Sequence, residues 1–293
     1  MIIAENSEHY RMITQNDHGD LAGQFAAHWG NEQFARLKPY QSMVLAAEAH
    51  DNGWWDWDVY PSVDEQGVPL PFTRTPREIR SGFYGRGIDN VIGRDLYAGL
   101  MVSMHGVGLP QKRYGTMPTM ADRQDEFSQR FIAEREPTHK VLIEKIRKSE
   151  QYAGMDSQEQ IWLNYLMMQV FDRLSLFFCA NFDLTTVPAT GAHTAGKGYY
   201  GPSVKPTPVK LGQEDGEIKL RVIDQKTVVV EPYPFDGSPL RVSVRGKLIP
   251  RTQYKSQEEF RETYGKAQRE LFEFTLLATG ASHTVQDPSL RSG

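Results

Sequence analysis

The sequence contains very little cysteine: Cys179 is the only one in 293 residues. Because a disulfide requires two cysteines, an internal disulfide framework is excluded, and this usage is typical of a reducing compartment. Residues 1–11 also lack the basic start and the apolar run of a signal peptide. We therefore expect a cytoplasmic protein.

The chain also lacks an excess of basic residues. It has 33 lysines and arginines and 37 acidic residues, which gives a formal net charge of −4. A nucleic acid is therefore not an expected partner. The most hydrophobic stretch, residues 161–179, contains Asp172 and Arg173, and each central charge costs about 2.5–3.5 kcal/mol in a membrane span. We expect no membrane partner but a small-molecule substrate, and assembly into a homo-oligomer stays open.

Three segments with helical patterns carry histidine or aspartate. Leu21, Phe25 and Trp29 recur every four positions and predict a helix over residues 17–29 with His18 on or beside its inner face. A second helix begins near Pro39 and ends at the pair His50-Asp51. A third, over residues 157–179, is apolar on nearly every side and presents Asp172, which would be costly to bury without a partner.

The remaining segments suggest a division of the chain. Residues 52–90 resemble a long loop, residues 95–109 a helix that carries His105, and residues 122–148 two helices interrupted at Pro137. After a Gly/Pro-rich segment, residues 217–223, 226–231 and 240–245 alternate as strands do, and Ser256 with Glu259 predicts a last helix. The predicted parts are a helical metal-binding core (1–184), a connecting segment (185–216), a β-rich subdomain with a terminal helix (217–280) and a mobile tail (281–293).

The histidines and aspartates of the three helices have the chemistry of a metal site. Imidazole nitrogen and carboxylate oxygen are usual ligands of divalent ions. Four such groups from three helices leave coordination positions for water or substrate. The predicted ligands are His18, His50, Asp51 and Asp172.

The order of these residues resembles a known arrangement. His18, then His50-Asp51, then Asp172 is similar to the H…HD…D pattern of the HD-domain superfamily of metal-dependent phosphohydrolases, over roughly residues 10–180. The resemblance implies a mainly α fold, an HD-domain-like helical bundle, to which the predicted strands add a small antiparallel β C-terminal subdomain (α+β). Three blocks also resemble a bacterial family of uncharacterised proteins, which has no established activity: residues 13–18, 50–54 and 232–235.

The superfamily resemblance also implies roles for residues. The four ligands would hold one or two divalent ions, Mn, Mg, Fe or Zn, with Asp51 as the bridge between two. His105 would be a further ligand in a two-ion site, and the nearby acid Asp17 is a candidate to shuttle a proton during catalysis. Two-ion members need two extra histidines, and His139, in a charged stretch, is not a convincing second.

Aromatic residues directly follow the predicted ligands. Trp54, Trp57 and Tyr60 are expected to line the mouth of a substrate pocket, and Arg86 is a candidate contact for a phosphate. Alternatively, these aromatic residues have only a structural role and form a hydrophobic plug over the helices. Alternatives also stay open for other residues: a hydrogen-bonded core histidine for His18, an ion pair for Asp172 and a packed polar residue for His105.

These features favour a metal-dependent hydrolase of a phosphoester, with a nucleotide or a small phosphorylated metabolite as substrate. Two alternatives stay open: a di-iron oxygenase of the HD-domain fold and a non-catalytic ligand-binding protein. The glycine-rich residues 82–87 lack the lysine of a phosphate-binding loop, and the sequence has no Gly-x-Ser-x-Gly motif.

Overall fold

In the part of the chain that the structure describes, seven β-strands form one mixed sheet that is covered by helices. The computed structural model describes residues 1–111, 124–188 and 201–280. The strands are β1 (Ile2–Glu5), β2 (His9–Ile13), β3 (Ser203–Thr207), β4 (Gly216–Val222), β5 (Thr227–Glu231), β6 (Leu240–Pro250) and β7 (Arg269–Ala278). The helices are α1 (Gln15–Ala27), α2 (Tyr40–Ala49), α3 (Trp55–Val59), α4 (Arg77–Ile92), α5 (Leu96–Gly108), α6 (Glu126–Arg147), α7 (Gln158–Ala180) and α8 (Gln257–Lys266).

The sheet combines strands from distant parts of the sequence. The strand order is β1-β2-β6-β7-β5-β4-β3. Neighbouring strands are antiparallel except β5 and β7, which are parallel. The register places His9 opposite Pro250 and Met12 opposite Lys247. The N-terminal strands are therefore part of the same sheet as the strands that follow residue 200.

This architecture corrects the predicted fold class. The protein is not a mainly α, HD-domain-like helical bundle with a small antiparallel β subdomain; it is α+β, with a large mixed sheet. Residues 10–13 of β2 are all buried, so this strand lacks the alternation of apolar and polar residues that reveals a half-buried strand. The predicted division of the chain at a connecting segment, residues 185–216, stays a prediction. Residues 189–200 of that segment and the predicted mobile tail, residues 281–293, lie outside the described part of the chain.

Several predicted helices are confirmed, and their N-caps explain where they begin. The side chains of Thr14, Asp95, Ser157 and Ser256 each accept a hydrogen bond from a backbone N–H in the first turn of α1, α5, α7 and α8. Two other predictions are wrong. Residues 52–90 are not a long loop, since they include most of α4, and α6 runs through Pro137 as one helix.

Helix α7 is the centre of the core. Most of its residues from Ile161 to Cys179 are buried, and it packs against α1, α2, α5 and two strands of the sheet. Asp172 lies on this helix and is 5% exposed, so its carboxylate needs polar partners inside the protein. Among the described helices, none is both long and apolar enough to cross a bilayer.

Helices α1 and α2 approach each other through glycine. A methyl group added at Gly19 would lie 2.3 Å from the backbone oxygen of Glu48, and one at Gly23 would lie 3.0 Å from the Glu48 Cβ. No side chain fits between the two backbones at Gly19. This close approach carries His18 of α1 towards His50, the residue that follows α2.

A buried arginine fixes the sheet to the end of α7. Arg11 of β2 donates from Nη2 to the carbonyl oxygens of Phe178 (2.9 Å) and Asn181 (2.7 Å). Burial lowers the pKa of Arg11 to about 10, so the guanidinium stays charged at neutral pH. A cation is favourable beside the unpaired carbonyls of a helix C-terminus. Arg11 thus holds α7 in position against β2.

Candidate metal centre

The predicted ligands meet inside the protein. His18 Nε2 lies 3.0 Å from Asp172 Oδ1 and 3.2 Å from His50 Nε2. His50 Nε2 lies 3.6 Å from Asp172 Oδ1 and 3.6 Å from Asp51 Oδ2. The four residues are 1–6% exposed. Residues separated by more than 150 positions in the sequence therefore meet in one buried cluster, in which Asp51 lies beside His50 and Asp172 lies beside both histidines.

Hydrogen bonds on the far side of each ring set its tautomer. His50 Nδ1 lies 2.8 Å from the carbonyl oxygen of Ala47, which can only accept, so Nδ1 carries a proton. The Ser175 hydroxyl donates to the Asp172 carbonyl (2.9 Å) and therefore accepts from His18 Nδ1 (2.8 Å). In the neutral form of each ring, Nε2 then carries a lone pair that points into the cluster.

This donor set fits a divalent cation. Ligand distances of about 2.0–2.2 Å, with roughly 90–110° between ligands, place two donor atoms on one ion about 3.0–3.5 Å apart. The two Nε2 atoms and Asp172 Oδ1 lie 3.0–3.6 Å from one another. Asp51 Oδ1 is buried, and no hydrogen-bond partner reaches it within the described ranges. A cation held by His18, His50 and Asp51 would compensate the charge of that carboxylate.

His105 of α5 extends the cluster. Its ring lies 5.1 Å from the ring of His50, and His50, His105 and Asp172 form a second group whose ligand atoms all lie within 4.8 Å of one another. Burial, together with the charge of His50, lowers the pKa of His105 to about 4, so this ring is neutral at neutral pH. His50 is common to both groups, and whether they hold one ion or two stays a prediction. His139 is instead hydrogen-bonded to Ser103 at 2.9 Å.

The charges within the cluster shift the pKa values of His50 and Asp172 in opposite directions. Burial alone lowers the pKa of His50, but the charge of Asp51 and the hydrogen bond to Asp172 outweigh it and raise the pKa to about 9. Burial disfavours the charged form of Asp172, yet its contacts with His18 and His50 hold the pKa of this carboxyl well below its usual range. Without metal, the centre is therefore a cationic histidine between carboxylates.

This arrangement predicts how the stability of the metal-free protein depends on pH. The pKa of His50 is higher in the folded protein than its ordinary 6.5, so its stabilising effect is complete below about pH 6.5 and is lost as the pH rises through about 9. We expect the melting temperature of chelator-treated protein to fall over that interval, measured by circular dichroism. The melting temperature should fall less in His50→Asn. An equal fall in both proteins would show that His50 is not the group that titrates in this interval.

Asp17, the predicted proton shuttle, has other partners. Its carboxylate accepts a hydrogen bond from Thr14 Oγ1 (2.6 Å) and forms an ion pair with Arg269. Asp17 is part of neither group of candidate ligands. These contacts give it a role in capping α1 and in joining α1 to β7. They do not favour the predicted transfer of a proton.

The residues predicted to bind substrate lie in different environments. Trp54 is fully buried and packs against Phe83 and Tyr84, with ring centroids 5.1 and 6.1 Å away. Tyr60 is 68% exposed. Trp57 packs against Phe83, and Arg86 is an exposed side chain that stacks on the same ring and lies 3.7 Å from Asp56. Trp54 is thus a core plug, and contact of the other three with substrate stays a prediction.

Two contributors to the site were not identified from the sequence. Ser175 follows Asp172 by three positions, which places both on one face of α7, and this spacing was the available signal. Tyr84 of α4 contacts the cluster through His105, with ring centroids 6.4 Å apart. Its position could not be predicted, because the many glycine and proline residues of the segment 52–90 favour a loop.

Comparison with known proteins gives a family but no activity. No curated protein and no solved structure matched the chain. None of the comparisons links it to the HD-domain superfamily. The sequence profile of one family, described as a protein of unknown function (DUF3891), matches residues 1–251, which include the candidate ligands and end just after β6. The resemblance to a family of uncharacterised proteins is thereby confirmed, and the chain belongs to the DUF3891 family.

Proposed function

We propose that the protein is a metal-dependent hydrolase of a phosphoester, with a nucleotide or a small phosphorylated metabolite as substrate. One observation carries the proposal. The Nε2 atoms of His18 and His50 lie 3.2 Å apart, each with its Nδ1 proton held by an acceptor outside the cluster, and Asp172 Oδ1 lies 3.0 Å from the first of them. Histidine ligands of metal sites are oriented in this way.

The residues of the chain have distinct roles in this proposal. His18, His50, Asp51 and Asp172 hold the ion, while Ser175 and the Ala47 carbonyl fix the orientation of the two rings. When bound, a divalent ion supplies Lewis acidity towards a phosphoryl oxygen and lowers the pKa of water. Burial of the ligands limits the access of bulk water, which strengthens the electrostatic interactions within the site.

The order of the ligands along the chain supports phosphoester chemistry. His18, His50-Asp51 and Asp172 follow the H…HD…D order of the HD-domain superfamily, although the protein as a whole has a different architecture. The likeness is restricted to the order of the candidate ligands along the chain. It suggests a reaction class and leaves the substrate to experiment.

The test begins with protein purified without added metal. Elemental analysis is expected to find a transition metal, and a panel of phosphoesters assayed with Mn²⁺, Mg²⁺, Fe²⁺ or Zn²⁺ is expected to include a substrate whose hydrolysis is lost in His18→Ala. The surface histidine variant His28→Ala is the control, since this ring is paired with Asp236 away from the cluster. Iron together with substrate-dependent O₂ consumption would indicate the oxygenase instead. Bound metal without turnover of any kind would indicate a ligand-binding protein.

A further inference from the structure

Two of the candidate ligands lie on a turn rather than within a helix. Helix α2 ends at Ala49, His50 and Asp51 follow it, and a single turn of 3-10 helix, Asn52–Trp54, comes next. The last carbonyl groups of an α-helix have no partner within the helix. The groups that bind these carbonyls therefore determine where the two ligands lie.

Asn52 binds one of these carbonyls and connects the turn to α4. Its Nδ2 donates to the carbonyl oxygen of Ala49 (2.7 Å) and to that of Gly87 in α4 (2.9 Å). Its Oδ1 accepts a hydrogen bond from Asn90 Nδ2 (3.1 Å), further along α4. An asparagine side chain has two N–H donors and one acceptor oxygen, and all of them are used here.

The backbone of the turn also touches α4 directly. A methyl group added at Gly53 would lie 1.9 Å from the carbonyl oxygen of Phe83. One added at Gly87 would lie 3.0 Å from the Gly53 nitrogen and 3.1 Å from Asn52 Nδ2. No side chain fits between the two segments at Gly53. The turn therefore cannot move closer to α4, and the hydrogen bonds of Asn52 oppose its moving away.

The contacts of Asn52 and those of His50 use the same last turn of α2. The Ala47 carbonyl accepts from His50 Nδ1 (2.8 Å), and the Ala49 carbonyl accepts from Asn52 Nδ2 (2.7 Å), in each case from the residue three positions later. Asp51 lies between the two donors in the sequence. Without the Asn52 side chain, the segment that carries both ligands would lose its hydrogen bonds to α4.

We propose that Asn52 is a positioning residue of the metal centre. It ties the His50-Asp51 segment to α4 and so fixes both side chains in the arrangement that the ion requires, before the ion binds. Its polar atoms are engaged with two backbone carbonyls and with Asn90, so it acts through its neighbours and not as a ligand. The inference rests on the proposed function, because it presupposes the metal ion of that site.

The test uses Co²⁺ as the probe, because the geometry of a metal site depends on its ligands and the visible absorption of Co²⁺ reports that geometry. Co²⁺ is titrated into chelator-treated wild-type and Asn52→Ala protein. We expect Asn52→Ala to bind Co²⁺ at least about tenfold more weakly, as for the loss of an outer-shell contact, and to give a changed spectrum at saturation. Wild-type affinity and a wild-type spectrum in Asn52→Ala would overturn the inference.

Two control variants separate positioning from a general loss of stability. Ser42→Ala removes a hydrogen bond of similar length, from Ser42 Oγ to Asp95 Oδ2 (2.9 Å), about two turns of α2 before His50. It should lower the free energy of unfolding and leave the Co²⁺ affinity and spectrum unchanged. Asn90→Ala removes only the exposed partner of Asn52 and should change the affinity less than about twofold. A spectrum altered as much by Ser42→Ala as by Asn52→Ala would reduce the effect of Asn52 to stability alone and overturn the inference.

A further pair of variants leaves the Asn52 side chain in place. The methyl group of Gly87→Ala meets the turn, so it should push the turn away from α4 and alter the Co²⁺ spectrum. Gly82→Ala in the same helix meets no atom within 4 Å and should leave the spectrum unchanged. If Asn52→Ala does not fold, this pair decides, and identical spectra in the two glycine variants would overturn the inference. A wild type that binds no Co²⁺ would instead refute the metal centre itself, and the inference with it.

Discussion

Wild-type protein is expected to purify with a divalent metal, and Asp172→Asn protein is expected to retain little or none of it. Asp172 Oδ1 lies within 3.6 Å of both Nε2 atoms, and the substitution removes its negative charge while it keeps its shape. Loss of an outer-shell partner alone typically costs 10–100-fold in metal affinity. We expect the loss of a ligand to cost at least about 100-fold, measured by elemental analysis and by competition with a chromophoric chelator.

The surface pair His28–Asp236 provides a matched control. Its Nδ1–Oδ1 distance of 3.1 Å resembles the 3.0 Å contact of His18 with Asp172, but both side chains are about half exposed. Asp236→Asn should therefore leave the metal content unchanged. Equal metal content in Asp172→Asn and Asp236→Asn would refute the metal centre.

Gly19→Ala is expected to destabilise the protein and to weaken metal binding, although the residue is not a ligand. The new methyl group would lie 2.3 Å from the Glu48 backbone oxygen, so α1 and α2 must move apart. Strain of this kind costs roughly 1–3 kcal/mol. It outweighs the gain of up to about 1 kcal/mol from replacing glycine by alanine within a helix. The separation also moves His18 away from His50.

Replacing Gly82 by alanine should raise the stability of the protein, whereas the same substitution at Gly19 should lower it. Gly82 is exposed in α4, and no atom lies within 4 Å of a methyl group added there. Gly82→Ala is therefore expected to stabilise the protein by about 0.5–1 kcal/mol and to leave metal binding intact. Urea unfolding of both variants, with metal titrations alongside, measures the contrast. If Gly19→Ala changed neither the free energy of unfolding nor the metal affinity, the close contact of α1 and α2 would not be what positions the histidines.

The candidate ligands could be found from the sequence because each depends on local patterns. The apolar spacing around His18 and the apolar character of the helix around Asp172 indicated which side chains are buried. A buried charged residue in such a helix needs a partner, and the other histidine and aspartate were the available candidates. The close packing of α1 on α2 at Gly19 depends on tertiary structure and had no comparable local signal.

The sheet could not be predicted in the same way. β2 is buried on both faces, and β1 has only four residues, too few for an alternating sequence pattern to be recognised. The partner of β2 lies more than 200 residues away in β6, and pairing over such a distance leaves no trace in a local window. The helix α4 was missed for a different reason: its three glycines, Gly82, Gly85 and Gly87, lower its helix propensity, and packing against its neighbours restores it.

The pairing of β2 with β6 has a consequence for synthesis on the ribosome. The helices that carry the candidate ligands end at Ala180, whereas β6 ends at Pro250, roughly 70 residues later. At translation rates of 5–20 residues per second, that interval lasts on the order of 4–14 s. Throughout it, the nascent chain contains β2 and the helices α1–α7 but not β6, the strand that pairs with β2. Apolar surface that the finished sheet will cover is exposed meanwhile, which makes this the period of greatest risk of aggregation.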